Sequence, residues 1–339
     1  MRKKTKPVSE MECSGIGLYC GEQNGDSMQE VDVIIPVYKP GKEFIELIDK
    51  LEHQSIPVHR ILLFNTEQKY WEAFQYDYPR RKRYENVKVW HISKKEFDHG
   101  RTRREAVKKS QAPVFVMMTQ DAIPADEFLL EKLIGPLSEK DTAVSYARQL
   151  PRKEAGAIER FTREFNYPDK SRIKSKADLD EMGIKTFFCS NVCAAYRRDI
   201  YEKQGGFIRH AIFNEDMIYA AGCIKAGYKI AYTAEAEVIH SHQYTNKEQF
   251  HRNFDLGVSQ AEHPEIFESV PSESEGIRLV KRTAEYLKKE GESRLILPMC
   301  VTSIYKFFGY KLGKNYKKLS FRRIMKYTMN RAYWESVRF

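Results

Sequence analysis

From Val31 onward the chain alternates between two kinds of segment, and that alternation constrains its fold more than any other feature. "VDVIIPV" (31–37), "RILLFN" (60–65), "VKVWHI" (87–92) and "PVFVMMT" (113–119) are short, β-rich apolar runs. Helical patterns at about Lys42–His53, Gln68–Tyr76 and Gly100–Ser110 separate them. A β-α-β-α-β-α-β order predicts a mostly parallel, Rossmann-like sheet with helices on both faces. Sheets of this kind bind ligands outside the carboxyl ends of their strands. The groups at those ends therefore surround one crevice: Pro36, Val37 and Tyr38 after the first strand, Asn65 after the second, Asp98 beyond the third, and Thr119, Gln120 and Asp121 after the fourth.

A chain of 339 residues suits one large α/β domain carrying an appendage. Its net charge of +10 points to an anionic partner, which composition leaves open among nucleic acid, a phosphorylated ligand and an anionic membrane. The six cysteines form no CxxC pair and no zinc-ligand spacing, so reduced cytosolic thiols are expected. The basic N-terminus lacks an apolar h-region, which argues against a signal peptide. "LILPMCVTSIY" (295–305) is too short to span a bilayer and contains Pro298, so a soluble or peripheral protein is expected.

Asp121 closes an apolar run, and a carboxylate there is either solvated at the strand tip or bound to something. No GxGxxG follows the first strand and no GxxxxGK[ST] occurs, so neither a dinucleotide-dehydrogenase nor a P-loop reading is supported. Arg101 and Arg104, at the start of the helix before the fourth strand, are either an ordinary basic solvent face or an aid to phosphate binding, which guanidinium forks and helix N-termini both favour. Glu215 and Asp216 open a further helix that Gly227 stops. The helix dipole alone accounts for two acids in a first turn.

"DVIIPVYKP", "FDHGRTRREAVKKSQAPVFVMMTQDAIP" and "GGFIRHAIFNEDMIYAAGCIKAGYKIAYTAEAEVIHSHQYT", in that order, resemble the family-2 glycosyltransferases with the A-type fold, above all their bacterial rhamnosyltransferase branch. The resemblance runs from Val31 to Thr245, with "FHRNFDLGVSQ" as a weaker tail. It implies a nucleoside-diphosphate sugar donor, dTDP-rhamnose or a UDP-sugar, and inverting transfer to a saccharide or lipid-linked acceptor. It further implies a Mg2+ or Mn2+ ion on the donor diphosphate. The family's D-x-D signature maps onto Thr119 and Asp121, which leaves Asp121 as the metal-facing carboxylate, with His240 and His242 of "HSHQYT" as further candidates. The family's E-D motif maps onto Glu215 and Asp216, with Asp216 as general base and Glu215 beside the acceptor. Ser190 and Asn191 fall at the acceptor sugar pocket. Pro36, Val37, Tyr38, Asn65, Asp98, Arg101, Arg104, Gln120 and Asp121 fall on the nucleotide-sugar side.

This reading divides the chain into a flexible leader (1–30), a catalytic domain (31–245, its nucleotide half ending at 121) and a helical basic extension (246–339). From Tyr310 to Trp334 the extension has no acid and interleaves Lys and Arg with aromatics. Such a stretch is an RNA-like basic aromatic surface, a helix packed on the catalytic domain or an interfacial membrane element, and an anionic membrane surface on the cytoplasmic side is the preferred partner. Two other classes stay open. A nucleic-acid binder is suggested by charge but lacks any zinc, RRM or helix-turn-helix signature. An inactive family member serving as a scaffold is kept open by Thr119.

Overall fold

The structure is a computed structural model that describes residues 30–268 and 273–336. The leader expected at 1–30 lies, apart from Glu30, outside the described residues. β1 (Val31–Val37), β2 (Arg60–Thr66), β3 (Val87–Ile92) and β4 (Val114–Met118) alternate with α1 (Lys42–Glu52), α2 (Gln68–Asp77) and α3 (His99–Val107), close to the expected boundaries. Next come β5 (Ile123–Pro124), α4 (Leu129–Ile134), β6 (Thr142–Leu150), α5 (Ala157–Asn166), β7 (Arg172–Lys174), α6 (Leu179–Met182), β8 (Cys193–Arg197) and α7 (Arg198–Lys203). The last strand, β9 (Lys229–Ile239), follows α8 (Glu215–Lys225).

One sheet results, in the order β3-β2-β1-β4-β8-β6-β9-β5, with β7 also on β9. β1 to β4 pair in parallel, as do β6 and β9, whereas β8 runs antiparallel to both β4 and β6. Buried residues cover both faces. Val33, Ile35, Leu63 and Val116 pack against α1, α2 and α4, while Ile34, Leu62, Phe115 and Tyr196 pack against α3, α7 and α8. That two-sided burial explains why the strands read as apolar runs rather than as an alternation.

Beyond β9 the chain is helical: α9 (Asn246–Glu262), α10 (Pro264–Phe267), α11 (Glu273–Lys289), α12 (Ile296–Lys314), α13 (Phe321–Tyr327) and α14 (Arg331–Ser336). α9 and α12 lie in close contact, and glycine makes that approach possible. A Cβ at Gly309 would stand 2.2 Å from the Phe250 carbonyl oxygen, and one at Gly313 would stand 2.0 Å from that of Phe254. Phe254 and Val258 of α9 then join Ile212, Tyr316, Ile324, Tyr333 and Trp334 in a third core. Asp255 fastens the end of the chain, accepting from Thr328 Oγ1 (2.6 Å) and from the Met329 and Asn330 amides (3.0 and 3.1 Å).

These contacts correct one expectation. Tyr316, Tyr333 and Trp334, read in sequence as part of a membrane-facing stretch, are buried. Among the described residues no helix is long and apolar enough to cross a membrane.

Candidate active site

β4 ends at Met118, and the antiparallel pairing of β5 with β9 (Ile123 opposite Ile239) draws the turn that carries Asp121 against the end of β9. His240 Nε2 lies 3.6 Å from Asp121 Oδ1, and His242 Nε2 lies 3.4 Å from Asp121 Oδ2. One ligand atom from each of the three residues falls within 4.8 Å of the others. The three positions singled out as metal candidates from sequence are thus brought together. Burial acts to raise Asp121, but His240 and His242, protonated at the low pH where a carboxyl titrates, outweigh it and hold the carboxyl well below its usual range. His242 is pushed down to about 4, by burial first and by His240 second, so its ring is neutral near neutral pH and one ring nitrogen offers a lone pair.

Gln149, at the end of β6, decides which nitrogen of His240 faces the carboxylate. Its Oε1 accepts from Arg163 and stands 2.9 Å from His240 Nδ1. Nδ1 is therefore the donor, and in the neutral ring Nε2 turns a lone pair toward a carboxylate oxygen. Two acceptors face each other there, an arrangement that a cation between them satisfies. One carboxylate, two imidazoles and a half-exposed open side fit a divalent ion of the first transition row.

The second centre is the start of α8. Asn214 takes the left-handed conformation (φ 63°) just before the helix, and its Nδ2 donates to Ser259 Oγ of α9 (3.2 Å). Ser259 in turn donates to the Phe213 carbonyl (2.8 Å), so the helical extension fixes the loop that presents Glu215 and Asp216. Glu215 is buried against Arg103 Nε (3.2 Å) and accepts from Asn191 Nδ2 (3.0 Å). Burial raises it, yet Arg103 and then His99 outweigh that and keep it below the ordinary range. Asp216 is half-buried, with Oδ2 accepting from the Asn191 amide and Oδ1 from the Met217 amide, both at 2.8 Å. Burial first, and the Glu215 charge second, push Asp216 up to about 7. Adjacent carboxyls are driven apart: one stays ionised, and the other exchanges a proton near neutral pH.

Gln149 also joins the two centres, because its Nε2 donates to Ser190 Oγ (3.0 Å), next to the residue whose amide holds Asp216. Sequence reasoning missed Gln149, Arg103 and Arg163. Gln149 had a signal, since it sits at the carboxyl end of a sheet strand. Arg252 was missed too. It stacks over Phe213 (4.6 Å) and Tyr244 (5.7 Å) and makes no ion pair among the described residues.

Several of the expected site side chains are committed to partners within the protein. Asp98 caps α3, accepting from the Gly100 and Arg101 amides (2.9 and 2.8 Å) and from Ala211 N (3.3 Å). Arg101 donates to the Glu96 carbonyl, and Arg104 to the carbonyls of Gly205 and Phe207. Gln120 exchanges two hydrogen bonds with the Tyr38 backbone (2.8 and 2.9 Å), latching the ends of β1 and β4 together. Asn65 is fully buried, donating to the Glu67 carbonyl and lying 3.0 Å from His91 Nδ1. Asn191 is buried between Glu215 and Tyr196, donating from Nδ2 to Glu215 and accepting from the Tyr196 hydroxyl at Oδ1. Pro36 and Val37 belong to β1 and pair with Phe64 and Asn65 of β2. Tyr38 keeps an exposed ring, edge-on to Tyr70 with Lys39 over both.

Comparison with known proteins adds an independent line. The model of glycosyl transferase family 2 matches residues 32–205. The chain is 38% identical over 312 residues to the O-antigen chain rhamnosyltransferase RfbN of Salmonella typhimurium, covering 91% of this chain and 98% of that protein. It is 41% identical over 250 residues to the O-antigen chain rhamnosyltransferase WbaN of Salmonella anatum, covering 73% of this chain and 79% of that one. Among solved structures it is similar to the mannosyltransferase PcManGT of Pyrobaculum calidifontis, in complex with GDP-Man and Mn2+. That likeness has a TM-score of 0.50 at 13% identity, over 90% of this chain and 83% of the other, and it speaks to the fold alone.

Proposed function

The chain belongs to glycosyl transferase family 2 and is a glycosyltransferase of the A-type fold, and from that premise we propose that it moves rhamnose from dTDP-rhamnose onto a saccharide or lipid-linked acceptor in O-antigen synthesis, with inversion. The observation that carries the mechanism is Asp216, pushed up to about 7 on one side of the Gln149 bridge, with the Asp121, His240 and His242 cluster on the other.

In this reading Asp216 takes the proton of the acceptor hydroxyl. The freed oxygen bonds to the anomeric carbon as the bond from that carbon to the diphosphate oxygen breaks, and the nucleoside diphosphate departs. A base tuned near the working pH supplies about 10² to 10⁴ in rate. Glu215 stays ionised against Arg103 and keeps Asp216 basic through its charge. Asp121, His240 and His242 would hold the divalent ion, and their two imidazoles favour Mn2+ over Mg2+. Such an ion supplies Lewis-acid neutralisation of the departing diphosphate when bound. Arg252, stacked on two aromatic rings beside the cluster, is placed to meet a phosphate by its fork geometry. Residues 31–245 form the catalytic unit, to which the helices from α9 onward are fused through Ser259 and the third core. A lipid-linked acceptor would be met at the anionic inner surface of the cell membrane.

Thermal melts of the full chain with dTDP-rhamnose, UDP-sugars and GDP-sugars, each with and without Mn2+, test the donor assignment. The expected result is stabilisation by dTDP-rhamnose that depends on Mn2+, together with release of dTDP on adding acceptor. If no sugar nucleotide moves the melt and none is consumed, the proposed reaction is wrong.

A further inference from the structure

The face of α12 turned away from the protein is apolar. Leu297, Val301, Ile304, Tyr305 and Phe308 follow one another at i, i+4, i+7, i+8 and i+11, with Phe307 alongside. A 19-residue helix in water is expected to present polar residues on its open side. Here Leu297 is 73% exposed, Ile304 52%, Phe307 52% and Phe308 57%. The opposite side of α12 is occupied by α9, drawn in at Gly309 and Gly313, so the outer stripe is not the product of a loosely seated helix. A contiguous exposed patch of this kind marks an interaction surface.

Charge identifies what covers it. From Ser293 to Trp334 there are ten Lys and Arg and no Asp or Glu, which makes the flanks of the stripe cationic with no acid to offset them. Lys317, Lys318, Arg322 and Arg323, just beyond the helix, are all exposed. A second copy laid face to face would set two acid-free rims against each other, which is unfavourable. A nucleic acid would use the cations but leave the aliphatic stripe wet. An anionic bilayer satisfies both, taking the apolar side chains below the headgroups and the cations among them.

We propose that α12 is the element by which this protein lies on an anionic lipid bilayer, with Leu297, Val301, Ile304, Tyr305, Phe307 and Phe308 inserted and the Lys and Arg of 311–326 at the headgroups. This rests on the membrane part of the function proposed above and moves the contact to a surface upstream of the buried aromatics of 316–334. The placement has a functional consequence. α9 touches both α12, at Gly309 and Gly313, and the loop that presents Asp216, since Ser259 of α9 donates to the Phe213 carbonyl. α9 therefore links the docking helix to the crevice that a lipid-linked acceptor arriving in the membrane plane would enter.

The test is sedimentation of the full chain with vesicles of phosphatidylethanolamine and phosphatidylglycerol, with phosphatidylcholine vesicles as the neutral control. Wild type is expected to bind the anionic vesicles, and raised salt is expected to weaken that binding. Leu297→Ser combined with Phe308→Ser, both at exposed positions, is expected to lower vesicle binding by at least about tenfold. Its melting temperature and its transfer to a soluble acceptor analogue should not change. Lys317→Glu with Lys318→Glu should reduce binding to anionic vesicles alone. Equal vesicle binding by wild type and the double-serine variant overturns the assignment to α12 while leaving a membrane contact elsewhere. Absence of any vesicle binding by wild type overturns the membrane reading as well, with the transferase reading still decided by the soluble assay. Self-association that the double-serine variant abolishes would assign the stripe to a second copy instead, and the proposal fails.

Discussion

Replacing Asp216 with Asn removes the one group at the start of α8 that both reaches solvent and exchanges a proton near neutral pH. The amide matches the carboxylate in size but loses one of its two backbone acceptor bonds, and donor binding at the Asp121 cluster, which those bonds do not touch, should persist. Loss of a positioned base is expected to lower kcat by about 10² to 10⁴, which is about 3 to 5 kcal/mol of transition-state stabilisation. The pH dependence sharpens the case. Asp216 must be ionised to act, and with its pKa pushed up to about 7 the wild-type rate should fall by about tenfold for each pH unit below that and level off above it. Because the Glu215 charge contributes to raising Asp216, Glu215→Gln should move the acid limb to lower pH. The same change strips the buried Arg103 of its carboxylate, so Glu215→Gln should also destabilise the fold by about 3 to 5 kcal/mol. Single-turnover transfer to a soluble acceptor between pH 5 and 9, with dTDP binding measured in parallel, reads all of these. Turnover of Asp216→Asn within a few-fold of wild type, or an acid limb in Glu215→Gln at the wild-type position, would refute the assignment.

Asp121→Asn, His240→Ala and His242→Ala should each weaken Mn2+-dependent dTDP binding by at least about tenfold, measured by calorimetry; unchanged affinity in Mn2+ would remove the cluster from the metal role. Gly313→Ala places a methyl 2.0 Å from the Phe254 carbonyl oxygen, so α9 and α12 must separate. A loss of about 1 to 3 kcal/mol is expected, visible as a melting temperature lower by several degrees, and a melt equal to wild type would show that the helices do not meet as described. With one base and no enzyme nucleophile in the proposed mechanism, the product should have inverted anomeric configuration, and a retained configuration found by NMR would exclude that mechanism.

The sequence by itself determined the order of elements and the places where chemistry could sit. Apolar runs separated by helical periods specify a sheet with two covered faces, and the carboxyl ends of its strands form one edge whatever the details. Asp121 was legible as a group at a strand end, and the resemblance to a known family added His240 and His242, more than a hundred positions further along, as metal candidates that the fold then brings beside it. Glu215 and Asp216 were legible as a pair opening a helix. Their unequal proton affinities were not, because those depend on Arg103 and on the depth of burial. In "HGRTRREA" composition offers three arginines, and each residue turns about 100° around the helix axis. Only packing against α8 turns Arg103 toward Glu215, while Arg101 and Arg104 meet backbone carbonyls. The same limit governs the extension. A run of alternating cations and aromatics reads alike whether its rings face a core or a membrane. The choice was made by Gly309 and Gly313, which let α12 close onto α9, burying Tyr316, Tyr333 and Trp334 and leaving Leu297 to Phe308 outside.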